Sequence, residues 1–201
     1  MTGHFTEEQQ NEIREKLFRA GIKYLKTYGV QKMTVDKLVA AAGIAKGSFY
    51  HFYKSKEEFL FALLEYAGSK RDEMLKRKLR GRKKLPVEEF TDFLKEYLHS
   101  DYDIMASMTI DDFLWVRKHL AACRPFEPDA QMSTVKYWIG VIENVNENVN
   151  PGVIVNLIKC IYAMREHRAT MVQDALDQSI DVQLRAIEAY LVNGGNQHEV
   201  H

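Results

Sequence analysis

Apolar residues recur at helical spacing along almost the whole chain, and that periodicity sets the first expectations. Ile13, Leu17, Ala20, Tyr24 and Leu25 mark one face of a first helix. Thr6 and Gln9 frame a capping box at its start, and Gly29 follows Tyr28 as a stop. Thr34 caps a second helix and Ala45 opens a third. Ser55 caps a fourth, with Glu57 and Glu58 in the first turn, where the positive helix end favours acids. The fourth helix runs to about Leu79, and Pro86 starts a fifth. Residues 101–123 read as one helix with Met105, Met108, Asp112, Trp115 and His119 along a single stripe. Residues 124–129, with two prolines, break the chain. Val135, Trp138, Ile142 and Val145 share the next helical face, and the run NVNENVN at 144–150 reads as a fraying helix end and loop. Asn150-Pro151 caps and opens a helix to about His167, and a last helix spans about 170–192. No sustained polar–apolar alternation argues for a strand. The expected fold class is all-α, with about nine helices.

Within this frame, residues 34–59, TVDKLVAAAGIAKGSFYHFYKSKEEF, form two short helices around a tight turn, followed by the start of a third element. Gly43 sits where the chain reverses, and glycine tolerates the positive φ such turns use. Leu38, Ala42, Ile44, Phe49 and Phe52 fall at inward spacings. Lys46, Gly47, Ser48, Tyr50 and His51 fall between them and face outward. A helical face with a cation, a hydroxyl, a phenol and an imidazole suits a DNA groove and its phosphates.

Here the chain resembles the tetracycline-repressor (TetR) family of bacterial regulators. The resemblance rests on Thr34, the run AAGIAKGSFYHF and Lys56-Glu57, and it is dense over residues 8–60. Ile44 stands where the family usually has valine, and Ala45 where serine is common. The resemblance implies an amino-terminal three-helix helix-turn-helix domain, residues 1–54. It also implies a carboxyl-terminal ligand-binding and dimerisation domain, residues 55–201, with helix 55–79 as the link. It places Thr34, Tyr50, His51 and Lys56 at phosphate-contacting positions, and Ala45, Lys46, Gly47 and Ser48 along base edges. Lys46 would then donate to guanine O6 and N7, or hold a phosphate. The implied partners are a near-palindromic double-stranded DNA operator, a second copy of the chain, and a hydrophobic small-molecule effector that releases the repressor.

Charge strengthens this reading once its distribution is considered. The 201 residues carry no formal net charge, yet residues 1–84 hold 19 Lys and Arg against 10 Asp and Glu, and the rest reverses that excess. A basic end on an acidic body can approach phosphates with one part only. The basic string from Lys76 to Lys84 is read as a solvated helix end, since cations favour a helix carboxyl terminus, with DNA contact as the alternative. Cys123 and Cys160 do not make a disulfide framework. No apolar run approaches the roughly 20 residues that span a bilayer, and the amino terminus lacks the order of a signal peptide. The expected setting is the cytoplasm.

The remaining candidates lie in the carboxyl-terminal part. Met105, Met108, Asp112, Trp115 and Trp138 are either plain core or the wall of a ligand cavity, with Asp112 as its acid. Ile154, Ile158, Ile161, Ile180, Leu184 and Ile187 give the last two helices apolar faces that could pair across a twofold axis. His119 and Cys123 are one turn apart, but no further ligand lies near them, so no metal is expected. No nucleophile elbow, phosphate-cradling glycine loop or HExxH is present, and neither a catalytic residue nor a cofactor is assigned. The competing reading is a helical interaction or scaffold protein whose helix-turn-helix does not bind DNA.

Overall fold

Thr6 and Gln9 close the first turn as the sequence predicts. The Thr6 hydroxyl accepts from the Gln9 N–H, and the Gln9 side chain accepts from the Thr6 N–H at 2.9 Å. The computed structural model describes residues 6–120 and 130–194. Among these, helix α1 spans Glu7–Tyr28, α2 Val35–Ala42, α3 Lys46–Phe52, α4 Lys56–Leu79 and α5 Val87–Leu98. Helix α6 spans Ile110–Leu120, α7 Ala130–Gly140, α8 Pro151–Glu166 and α9 Leu176–Asn193, and no β-strand occurs among the described residues. The chain divides into two compact units, residues 6–70 with 101–120, and residues 71–100 with 130–194. Cys123, His198 and His201 lie outside the described residues.

The first unit is built around α1. Leu17 and Leu25 of α1, Leu38 of α2, Phe49 of α3, and Phe59 and Leu63 of α4 are buried together. Helices α2 and α3 have 8 and 7 residues, too short to persist alone, so packing holds them in place. Phe49 is the anchor of α3. It is fully buried, with its ring 5.7 Å from Phe59 and 5.6 Å from Tyr53. Burying such a ring is worth about 1.5–3 kcal/mol. Phe52 is only partly buried, and the Arg14 guanidinium lies over its ring at 5.2 Å.

Residues 101–120 do not form one helix. A 3-10 turn covers Ile104–Ser107, Met108 is extended, and α6 begins at Ile110. The reason is a second capping box that the methionine stripe obscures. The Thr109 hydroxyl accepts from the Asp112 N–H at 3.1 Å, and the Asp112 carboxylate accepts from the Thr109 N–H at 3.3 Å. Met105 and Met108 therefore precede α6 and do not share a helical face with Asp112 and Trp115.

In the second unit, Trp138 packs between the α5 rings of Phe90 and Phe93, with centroids at 5.9 and 6.0 Å. Ile154, Ile158, Ile161, Ile180, Leu184 and Ile187 are all buried within this same unit. They are core residues of one chain, so their assignment to a dimer face is corrected. Helix α7 stops at Gly140, short of Ile142 and Val145. Leu85 accounts for the early stop. Its N–H donates to the Val141 carbonyl and its own carbonyl accepts from the Glu143 N–H, both at 2.8 Å. The run at 144–150 is likewise tied down rather than fraying. The Asn146 N–H donates to the Leu191 carbonyl at 2.9 Å, and its side-chain amide donates to the Asn193 carbonyl at 3.2 Å.

Candidate nucleic-acid interface

The reversal between α2 and α3 takes three residues. Gly43 adopts φ +65°, a left-handed conformation that only glycine enters without strain. At the start of α2 the Thr34 hydroxyl oxygen accepts from the Lys37 N–H at 3.4 Å, leaving its O–H able to donate outward. The single inward anchor, Phe49, then fixes which side of α3 meets solvent. Ala45, Lys46, Gly47, Tyr50 and His51 are exposed and Ser48 is half-buried. Tyr50 is braced edge-on against Phe49, with ring centroids 5.4 Å apart.

Lys46 is not idle on this surface. Its ammonium sits 2.7 Å from the Asp36 carboxylate of α2, and that hydrogen bond raises its pKa above the ordinary lysine value. Both side chains are solvent-exposed, so the pair is easily exchanged for another partner.

Lys56 is placed differently from the expectation of a phosphate contact. It is half-buried, 4.3 Å above the Trp115 ring of α6, and donates to the Val30 carbonyl at 3.4 Å. Burial lowers its pKa, and the neighbouring Glu57 carboxylate partly opposes that shift. It acts here as an internal tie between the start of α4, α6 and the end of α1.

Asp112 belongs to the same junction. Its Oδ1 accepts from the buried Val30 N–H at 3.1 Å. Gly29, at φ +78°, makes room for it, because a Cβ there would meet Asp112 Oδ2 at 3.0 Å. Trp115 stacks on His119 with centroids 4.1 Å apart. Asp112 is thus a structural acceptor, not the acid of a ligand cavity. Of the candidate cavity residues, Met105, Met108, Asp112 and Trp115 lie in the first unit and Trp138 in the second. The spacing Thr109-x-x-Asp112 was the signal for this role, and it was hidden because Asp112 also falls on the apolar stripe.

A short helix anchored by one aromatic, following a glycine turn and presenting small, hydroxyl and cationic groups, defines a helix-turn-helix protein of the DNA-binding class. Residues 17–63 match the model of bacterial regulatory proteins of the tetR family, so the amino-terminal part of the chain is similar to that family's DNA-binding domain. It is 41% identical over 51 residues to the transcriptional regulator AcuR of Cereibacter sphaeroides, a match covering 25% of this chain and 23% of AcuR. Sequence likeness to that relative thus spans about a quarter of its length. Likeness in fold extends further. The structure of SmeT, repressor of the Stenotrophomonas maltophilia multidrug efflux pump SmeDEF, superposes with a TM-score of 0.56 at 18% identity, covering 90% of this chain and 91% of SmeT. FadR of Bacillus subtilis in complex with stearoyl-CoA gives a TM-score of 0.53 at 17% identity, covering 90% of this chain and 98% of FadR.

Proposed function

We propose that this protein is a dimeric transcriptional repressor that binds a near-palindromic DNA operator and is released by a hydrophobic small molecule. The observation that carries the reading is the outward face of α3. Ala45, Lys46 and Gly47 are exposed at its start, and Tyr50 and His51 beyond. In this reading Ala45, Lys46, Gly47 and Ser48 lie along base edges in the major groove, while Thr34, Tyr50 and His51 hold flanking phosphates. The domain division is that of residues 1–54 for DNA and 55–201 for ligand and dimerisation. SmeT and FadR supply the analogy for efflux and acyl ligands, and the cytoplasm is the compartment in which such a regulator meets DNA. Among the described residues no helix is long and apolar enough to cross a membrane.

The dimer uses surfaces that one chain leaves open. On α9, Val182, Ala186, Ala189 and Val192 are exposed at helical spacing, and on α8 Asn156, Cys160 and Ala163 are exposed likewise. Small residues let helices approach closely, so two copies would form a four-helix bundle. Selection from random duplexes with the full chain tests the whole reading. An inverted repeat with half-sites about one helical turn or somewhat more apart is expected. Recovery of no enriched sequence at low salt from folded protein would sink it.

A further inference from the structure

The second unit carries a cleft of about 470 Å³ that none of the expected sites includes. Its size falls in the range of small-molecule pockets, about 300–1,000 Å³. Ile139, Ile142, Val145 and Val149 make an apolar wall, and Lys84 and Lys136 line it with cations. Both lysines are exposed, and neither has a hydrogen bond or ion pair among the described residues. Pro151 also lines the cleft, and it is the first residue of α8, a helix of 16 residues. The helix N–H groups nearby are already used, since the Gly152 N–H donates to the Asn150 side chain at 2.9 Å and the Val153 N–H to the Asn150 carbonyl at 3.0 Å. What remains is the positive field of the helix end. One acid opposes these charges, because Glu147 also lines the cleft.

The walls are held in place by hydrogen bonds within the second unit. Lys84 precedes Leu85, which is locked by two backbone hydrogen bonds of 2.8 Å to residues 141 and 143. Residues 144–149 are pinned through Asn146 to the end of α9, and the Asn150 N–H donates to the Tyr190 hydroxyl at 3.0 Å. Asn144, inside the cleft, adopts φ +52°, a left-handed conformation unusual outside glycine. A fixed apolar wall loses little entropy on binding, which favours affinity in a small site, and the two lysines beside it are unpaired among the described residues.

We propose that this cleft binds a small amphiphilic monoanion, a medium-chain carboxylate whose head meets Lys84 and Lys136 and whose tail lies on Ile139, Ile142 and Val145. Two cations against one carboxylate leave room for a single negative charge, so dianions are disfavoured by Glu147. The inference stands apart from the operator reading, because binding is measured with no DNA present. Octanoate is titrated into the full chain by calorimetry and by ¹H–¹⁵N NMR, with octanamide as the uncharged control. Saturable one-to-one binding is expected, with shifts at residues 84–85, 136 and 139–149. Octanamide and the Lys84→Ala/Lys136→Ala variant should each bind about tenfold or more weakly, the size expected for losing charged hydrogen bonds. Lys84→Arg/Lys136→Arg should bind octanoate nearly as well as the wild type, and Lys83→Ala should bind it unchanged. Absence of saturation, equal binding of octanamide, an unaffected double alanine variant, or shifts centred elsewhere would each overturn the proposal.

Discussion

Val30 is held at both of its backbone polar groups by side chains far from it in sequence, and its carbonyl also accepts from the Met33 N–H. Asp112 takes its N–H at 3.1 Å, and Lys56 reaches its carbonyl at 3.4 Å. Asp112→Ala should leave a buried N–H unsatisfied and destabilise the fold by about 1–3 kcal/mol. Asp112→Asn, which keeps an acceptor oxygen, should lose less, and thermal melts of the two variants check the order. A double-mutant cycle between Lys56→Met and Trp115→Leu should return a coupling of about 0.5–2 kcal/mol from the cation over the ring. Tyr53 offers a pH test. Burial pushes its phenol up to about 12, so it is raised above its unfolded value. Stability from keeping it neutral is complete below about pH 10 and is lost as pH rises through about 12. Tyr53→Phe should therefore lose less stability than the wild type over that interval in alkaline melts. On the DNA side, Asp36→Asn removes a carboxylate beside Lys46 and should raise affinity for duplexes in general, through the lost negative charge. If Lys46 reads guanine, Lys46→Ala should relax preference at one base pair by roughly tenfold. An even loss across sequences would make Lys46 a phosphate clamp.

At the scale of elements, the helices themselves were legible and their outer faces were not. Thr6, Thr34, Ser55 and Asn150 each begin a helix where the capping rules put one, because caps are local chemistry. The turn at Gly43 and the inward Phe49 could be read for the same reason. The failures share a cause. Apolar periodicity shows that a helix buries a face but not against what, so Leu184 and Ile187 passed for interface when they are core. The stripe Met105–Trp115 ran across a helix start because two methionines keep the period by coincidence. Loop 144–150 looked loose because its anchors, Leu191 and Asn193, are more than forty residues away. The dimer test follows from the corrected face. Ala186→Glu should yield monomers by sedimentation with little change in melting temperature, since the site is exposed in one chain. Leu184→Glu should instead unfold the unit, because it buries an unpaired carboxylate. Dimers surviving Ala186→Glu would move the interface elsewhere.

For the whole molecule, the uneven charge has a measurable signature. The excess of 19 basic over 10 acidic residues is confined to residues 1–84. Operator affinity should fall with salt at a log–log slope of about 0.9 per phosphate contacted. Neutralising acids beyond residue 84 should leave that slope unchanged. The division of the chain matters for how the protein is made. The unit that carries α2 and α3 draws on residues 6–70 and again on 101–120, with residues 71–100 belonging to the other unit. Its core includes Ile104, Met108, Val116 and Leu120, and the partner of the Val30 N–H is Asp112. A ribosome that has released residue 70 has therefore delivered every group proposed to touch DNA, but not the segment that closes their support. At about 5–20 residues per second, the nascent head waits roughly 3–10 s for its last pieces. A free-standing amino-terminal fragment ending at residue 70 is left permanently in that waiting state, and limited proteolysis should cut it faster than the same residues in the full chain.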